Sequence, residues 1–405
     1  MKVLQINSVC GIGSTGRIAT DIHNILIKEG HESYIAYGRD QHINCDNTIK
    51  IGTKVDNYAH FVKTKVLDMH GFGSINATRK FIKEIDRINP DIIHLHNLHG
   101  YYINIKILFN YLKKTNKLVV WTLHDCWAFT GHCSHFDYIG CEKWKNECYN
   151  CPQKKSYPSS MLLDNSRNNY KMKKELFTGL DNLTIVTPSK WLADLVAKSL
   201  LREYPIKVIN NGIDLEVFKP IESNFRETYN LKDKFIILGV ATAWGINKGM
   251  DYFVELSKII HEDEVIVMVG LKEKHLKKLP SKIIGIARTN NSKELAEIYS
   301  SADVFINPTL SDTFPTTNLE ALACGTPVVT FDTGGSVEAV DDYTGIISQK
   351  ENLEDLIKSI EIIKEKGKGY YSNKCMRRAT SIYNKYDRFN DYINIYSYLL
   401  GKEGI

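Results

Sequence analysis

The chain has 405 residues, 43% hydrophobic and 24% charged, so at about 150 residues per domain it encodes two or three packed domains. With 10 Pro and 26 Gly it is neither disordered nor collagen-like, and a net charge of +5 is too slight to mark a nucleic-acid binder. No apolar run approaches the roughly 18 residues of a membrane span. Met1 to Ile6 reads as a strand interrupted by Gln5, not as a secretory leader, which needs a longer apolar stretch and a small-residue cleavage site; the expected location is cytoplasmic.

Strands and helices alternate along the first half. The patterning predicts a strand over 3–6, a Gly-rich turn, a helix over 16–28 and a strand over 33–37. A helix over 80–88 stops before Asn89-Pro90, followed by a strand over 91–96, a helix over 105–114 and strands over 118–123 and 183–187. The second half repeats the rhythm, with strands over 235–241, 264–269, 304–307 and 327–331 and helices over 249–261, 292–300 and 318–323. Short apolar strands alternating with helices predict parallel sheets covered on both faces. The expected fold class is α/β, with two Rossmann-like domains facing an interdomain cleft. Pro205, Asn210-Asn211-Gly212 and Pro220 punctuate the join, giving domains over 1–205 and 206–385. A Tyr-rich helix in 386–405 is expected to cross back to the first domain.

Gly11-Ile12-Gly13-Ser14-Thr15-Gly16 follows the first strand and opens a helix, the setting for backbone amides near a phosphate. A dinucleotide site also wants an acidic residue closing the second strand, but that strand ends Ala36-Tyr37-Gly38-Arg39 with no carboxylate before Asp40. A loop bordering a donor sugar or phosphate through Gly13, or a tight turn alone, are the remaining readings. The most informative string runs from Ser311 to Val329. There a strand ends, a loop follows, and a helix begins near Thr316, so the amides of Thr316, Thr317 and Asn318 stand where a diphosphate is stabilised. Asp312 and Glu320 flank that helix start and can face one ligand from two sides. Lys248-Gly249 follows another strand, where a lysine neutralises a diphosphate as a compact charge.

Asp312, Glu320 eight positions later, and Gly325-Thr326-Pro327-Val328-Val329 together resemble the donor-binding signature of GT-B-fold retaining glycosyltransferases of family 4 (group 1). Asn210-Asn211-Gly212-Ile213-Asp214 and Thr333-Gly334-Gly335-Ser336-Val337-Glu338 are similar to two further segments of that family. Asp312 stands where the family usually has Glu, Pro315 where it has Gly, and Thr242 where it has an Arg six residues before Lys248. The stretch from Gly239 to Gly249 resembles the colanic-acid and capsular exopolysaccharide subgroup. The resemblance implies that Glu320 binds the donor ribose, Asp312 the sugar, and Lys248 with Thr242 the diphosphate of a UDP- or GDP-sugar. It also implies that His124 approaches the sugar and that His96, His99 and Asp125 line the acceptor side. Transfer to a glycan or polyprenyl-diphosphate-linked acceptor is then expected, with retention, no metal at the diphosphate and no catalytic cofactor. A nucleotide-sugar binder without turnover and an NAD(P)-dependent enzyme are the rival readings.

Nine cysteines include five within 126–151: Cys126, Cys133, Cys141, Cys148 and Cys151. In an insertion over about 126–160, Cys133, Cys141, Cys148 and Cys151 are candidate ligands of a structural zinc. Free thiols packed around Trp144, and disulfides, are the alternatives. Aromatic and basic residues are not interleaved there as nucleic-acid binding requires. From Lys143 to Lys174 eight Lys and Arg face only Glu147 and Asp164, either a solvated helix face or a surface drawn to anionic lipid. The latter places the protein at the inner face of the cell membrane.

Overall fold

In the computed structural model, residues 1–401 are described, and they fall into two units, Met1–Asn210 with the described residues from Arg388 on, and Asn211–Asp387. The first strand shows why the sheets are parallel. In β1 (Lys2–Asn7), Val3, Leu4 and Ile6 are all fully buried, so both faces are covered, as helical crossovers require.

The first unit holds β1, β2 (Glu32–Tyr37), β3 (Thr48–Lys50), β4 (Ile92–Leu95), β5 (Leu118–Thr122), β6 (Leu183–Thr187) and β7 (Ile206–Val208). Their order is β3-β2-β1-β4-β5-β6-β7, every pair parallel. Its helices are α1 (Gly13–Lys28), α2 (Lys54–Leu67), α3 (Ile75–Ile88), α4 (Ile105–Leu112), α5 (Ser166–Phe177) and α6 (Lys190–Val196). The sequence boundary at 205 is corrected. Ile206–Val208 pairs with β6 as the seventh strand of this sheet, and its Ile-Lys-Val is too short and polar to announce itself.

The second unit holds β8 (Phe235–Val240), β9 (Glu264–Val269), β10 (Ile283–Ile286), β11 (Val304–Asn307), β12 (Val328–Phe331) and β13 (Gly345–Ser348). They are ordered β10-β9-β8-β11-β12-β13 and again parallel. Around them lie α7 (Phe225–Thr228), α8 (Met250–Ile259), α9 (Glu273–Leu276), α10 (Ser292–Ser301), α11 (Thr316–Ala323), α12 (Leu353–Lys366) and α13 (Lys368–Ile382). In each sheet the strand order reverses beside its first strand, at β1/β4 and at β8/β11. Ligands of open α/β sheets bind outside the strand carboxyl ends at such switch points.

The last helix, α14 (Lys385–Leu399), starts in the second unit, where Asn384 bridges Ile213 and Lys385 pairs with Asp214. From Arg388 on it belongs to the first unit. Phe389, Tyr392, Ile393 and Tyr396 pack there with Val3, Ile18, Ile22, Val120 and Val186. Tyr396 Oη lies 2.6 Å from His94 Nδ1, and His94 Nε2 lies 2.8 Å from Thr122 Oγ1, so the sheet and this helix share a buried polar seam. Among the described residues no helix is long and apolar enough to cross a membrane.

Candidate functional site

At the second switch point, β8 and β11 both run into loops that approach each other closely. Gly249 has φ +68°, and a Cβ there would stand 2.1 Å from the Pro308 carbonyl oxygen, so only glycine lets the loop after β8 close on the loop after β11. Thr309 Oγ1 donates to the Asn247 carbonyl at 3.0 Å. This juxtaposition brings Lys248 Nζ to 2.5 Å from Asp312 Oδ2. Asp312 is held from behind by the Gly334-Gly335 turn. Gly335 N–H donates to its carbonyl at 3.0 Å, and Gly334 adopts φ +55° with no room for a Cβ, which would lie 2.1 Å from the same oxygen.

α11 begins at Thr316 behind Pro315, which offers no side-chain cap. Thr316 and Thr317, as first-turn residues, have no intrahelical acceptor for their N–H groups. Asn318 departs from the sequence expectation. Its N–H donates to the Pro315 carbonyl at 3.2 Å, so it is spent on the turn. Its fully buried amide side chain accepts from Asn307 Nδ2 at 2.8 Å and donates to the Ser336 carbonyl at 3.0 Å. Asn318 therefore positions β11, α11 and the glycine turn. Glu320, one turn into the helix, is buried and accepts a 3.0 Å hydrogen bond from Tyr299 Oη of α10. Thr242 is exposed at the end of β8.

At the first switch point the Gly-rich segment closes on itself, Gly11 N–H donating to the Gly16 carbonyl at 3.1 Å. Gly13, with φ +66° and open space where a Cβ would stand, is the first residue of α1. Gly38, at the end of β2, is covered by Tyr102, whose ring lies 2.0 Å from a built Cβ. A carboxylate for a dinucleotide ribose has no place there.

Beside it, the ends of β4 and β5 deliver His96, Asn97, His99, His124 and Asp125 to a cavity of about 10 Å³ lined also by Trp121 and Trp127. Gln5 Nε2 donates to the Ala19 carbonyl at 2.9 Å, turning its Oε1 toward His96 Nε2 at 3.0 Å. Burial holds His96 well below the usual imidazole range, so it is neutral, with its proton on Nε2 and a lone pair on Nδ1. His124 Nε2 lies 3.1 Å from that Nδ1 and must donate to it. His124 is pushed down to about 4, chiefly by burial, with Asp125 opposing. It is thus neutral too, with its lone pair on Nδ1.

His99 Nε2 lies 2.7 Å from Asp125 Oδ2, and His99 Nδ1 lies 2.9 Å from Tyr157 Oη. Asp125 Oδ1 accepts from the Trp127 N–H at 2.8 Å. Burial would raise the Asp125 carboxyl, but the charge and hydrogen bond of His99 outweigh it and bring it to about 2. Both ring nitrogens of His96 and of His99 are engaged inside the protein, and Asp125 is spent on His99 and Trp127. All three, expected on the acceptor side, are tied into the protein by these bonds. Sequence reasoning missed Gln5 and Tyr157. Gln5 left a signal, a polar residue inside an otherwise apolar buried strand; Tyr157 left none.

Cys133, Cys141, Cys148 and Cys151 line one cavity with Trp144. Among the described residues no three His, Cys, Asp or Glu side chains stand together so that they could hold a metal ion, and all nine cysteines are free thiols. The basic run nearby is less basic than its composition. Lys173 is buried, its ammonium bonded to the Trp127 and Thr130 carbonyls at 2.6 and 3.0 Å and brought to about 7 by burial. Arg167 and Lys171 pair with Glu147.

Residues 15–217 match the family described as Glycosyltransferase Family 4, and residues 234–365 match Glycosyl transferases group 1. The chain is 24% identical, over 98% of its length and 100% of the relative's, to the putative colanic acid biosynthesis glycosyl transferase WcaC of Escherichia coli. It is 31% identical, over 41% of its length and 46% of the relative's, to the N,N'-diacetylbacillosaminyl-diphospho-undecaprenol alpha-1,3-N-acetylgalactosaminyltransferase of Campylobacter jejuni. Among solved structures it is similar to HepE of Anabaena in complex with UDP, with TM-score 0.70 at 14% identity, covering 98% of this chain and 100% of that one.

Proposed function

Since the chain belongs to glycosyltransferase family 4 and is a glycosyltransferase of the GT-B type, we propose that it moves a sugar, with retention, from a nucleoside diphosphate to a glycan or polyprenyl-diphosphate-linked acceptor in surface polysaccharide synthesis. The observation that carries this reading is the Lys248–Asp312 pair at 2.5 Å beside the start of α11. Cleaving the anomeric bond leaves negative charge on the diphosphate and positive charge on the sugar ring. Lys248 and the Thr316 and Thr317 amides stabilise the first, the term to which preorganised donors contribute most. Asp312 orients the sugar, Glu320 the ribose, held in place by Tyr299, and Thr242 offers the diphosphate a hydroxyl. His124, just beyond the end of β5 and paired with His96, approaches the donor sugar. In the front-face reaction the leaving phosphate takes the acceptor's proton. The full-length likeness to WcaC and the undecaprenol-linked substrate in the Campylobacter relative's name support the acceptor class.

An exposed apolar surface fits a lipid-carried acceptor. Along α2, Val55, Tyr58, Val62 and Val66 are exposed at helical spacing. Met161 N–H donates to the Lys65 carbonyl and Leu163 N–H to that of Val66, bringing the exposed Met161, Leu162 and Leu163 beside them, with Lys54, Lys65, Lys154 and Lys155 in the same segments. Apolar side chains among lysines suit the surface of an anionic leaflet.

The test is a thermal-shift screen against UDP-, GDP- and ADP-sugars, in which the true donor at 100 times its Kd adds about 2.7 kcal/mol of stability. Release of nucleoside diphosphate with an acceptor present then separates transfer from binding without turnover. Glu320→Gln is expected to weaken donor binding, and unchanged affinity would reject its ribose role.

A further inference from the structure

Residues 126–165, between β5 and α5, contain only three single-turn 3-10 helices, Trp127–Phe129, Asp137–Ile139 and Lys143–Lys145. What organises this stretch is a cavity of about 20 Å³ on which Cys133, Cys141, Cys148 and Cys151 converge from four points of the chain. That volume holds about one ion or one water.

The donors around it are more informative than the thiols. Four residues lining this cavity carry a buried polar atom without a hydrogen-bond partner: His132 Nε2, Trp144 Nε1, Gln153 Nε2 and Ser166 Oγ. An indole N–H can only donate. The Gln153 amide is turned by Tyr138, whose hydroxyl donates to Oε1 at 2.5 Å, so its NH₂ is the unpartnered end. The Gly131 N–H already donates to Cys148 Sγ at 3.2 Å. His132 is 2% exposed and bonded through Nδ1 to Asp68 at 2.5 Å, so its Nε2 is the unpartnered end. Buried unpaired groups of this kind are rare in folded proteins, and several around one cavity call for an explanation. Neutral thiols are poor acceptors for them, whereas thiolate sulfurs are good ones, and a buried set of thiolates requires a cation.

We propose that Cys133, Cys141, Cys148 and Cys151 bind one zinc ion as four thiolates, with the Gly131, Trp144 and Gln153 N–H groups donating to the sulfurs. Binding releases the four thiol protons to solvent, and it requires the sulfurs, which as they stand form no group able to hold a metal ion, to draw in to the roughly 2.3 Å zinc–sulfur distance. With all positions filled by protein, the ion is structural. It pins an insertion that starts beside His124-Asp125 and carries Tyr157, the partner of His99.

The experiment is metal analysis of full-length protein purified under reducing conditions without chelator. About one zinc per chain is expected, lost in Cys148→Ser and in Cys141→Ser, the latter at a half-exposed position, and kept in Cys375→Ser. Should the serine variants fail to fold, cobalt exchange into the wild-type protein reads the same site, and a tetrahedral spectrum with thiolate-to-cobalt charge transfer is expected. Zinc absent with all four thiols reactive in the folded protein overturns the proposal. So does a Cys133–Cys151 disulfide, or zinc retained at full stoichiometry in folded Cys148→Ser.

Discussion

Lys248 and Asp312 neutralise each other at 2.5 Å, so a bound diphosphate competes with a carboxylate for one ammonium. Because Thr242 adds no charge, Lys248→Ala is expected to lower turnover by a factor on the order of 10²–10³, as for loss of one transition-state donor. Steady-state kinetics at saturating donor checks this, and near wild-type turnover would remove Lys248 from the mechanism. His124 makes a different prediction. Its imidazole takes a proton near 6.5 when unfolded and near about 4 when folded. Between those values the unfolded chain binds more protons, so stability falls as pH drops through this window. Asp125, lowered from 3.8 to about 2, continues the loss below it. Urea unfolding at pH 7 and pH 4.5 should differ less in His124→Asn than in wild type; an identical difference would reject the assignment.

At the scale of elements, glycine turns and the last helix decide where site residues stand. Gly334→Ala forces a Cβ toward the Asp312 carbonyl at 2.1 Å in a left-handed backbone. It is expected to weaken donor binding more than global stability, measured by donor titration beside thermal unfolding. For α14, the polar seam is the sensitive point. His94, kept neutral by burial, donates through Nε2 to Thr122, so its Nδ1 accepts from Tyr396 Oη. Tyr396→Phe leaves that nitrogen buried and unpaired, an expected loss of about 1–3 kcal/mol in denaturant unfolding of the first unit. An unchanged midpoint would mean that the seam contributes nothing.

For the whole molecule, the exposed apolar face of α2 with Met161, Leu162 and Leu163 predicts binding to anionic vesicles. Co-sedimentation should fall in Tyr58→Glu/Val62→Glu and weaken as salt rises, since a Debye length of about 8 Å at physiological ionic strength shortens further. Binding that ignores both would place the contact elsewhere.

The two parallel sheets and the strands over 264–269 and 304–307 could be read from the chain alone. Short apolar runs rich in Val and Ile, with glycine and proline at their ends, favour strands buried on both faces over helices. α2 escaped that reading because its buried residues are His60 and Thr64 while its apolar ones face outward, inverting the pattern on which periodicity relies. The partners of His96, His99, Asp125 and Asn318 were set by tertiary structure. Residue type shows that a side chain can bond a ligand, but only the fold shows which neighbours it meets, Gln5 on β1, Tyr157 in the insertion and Ser336 beyond β12.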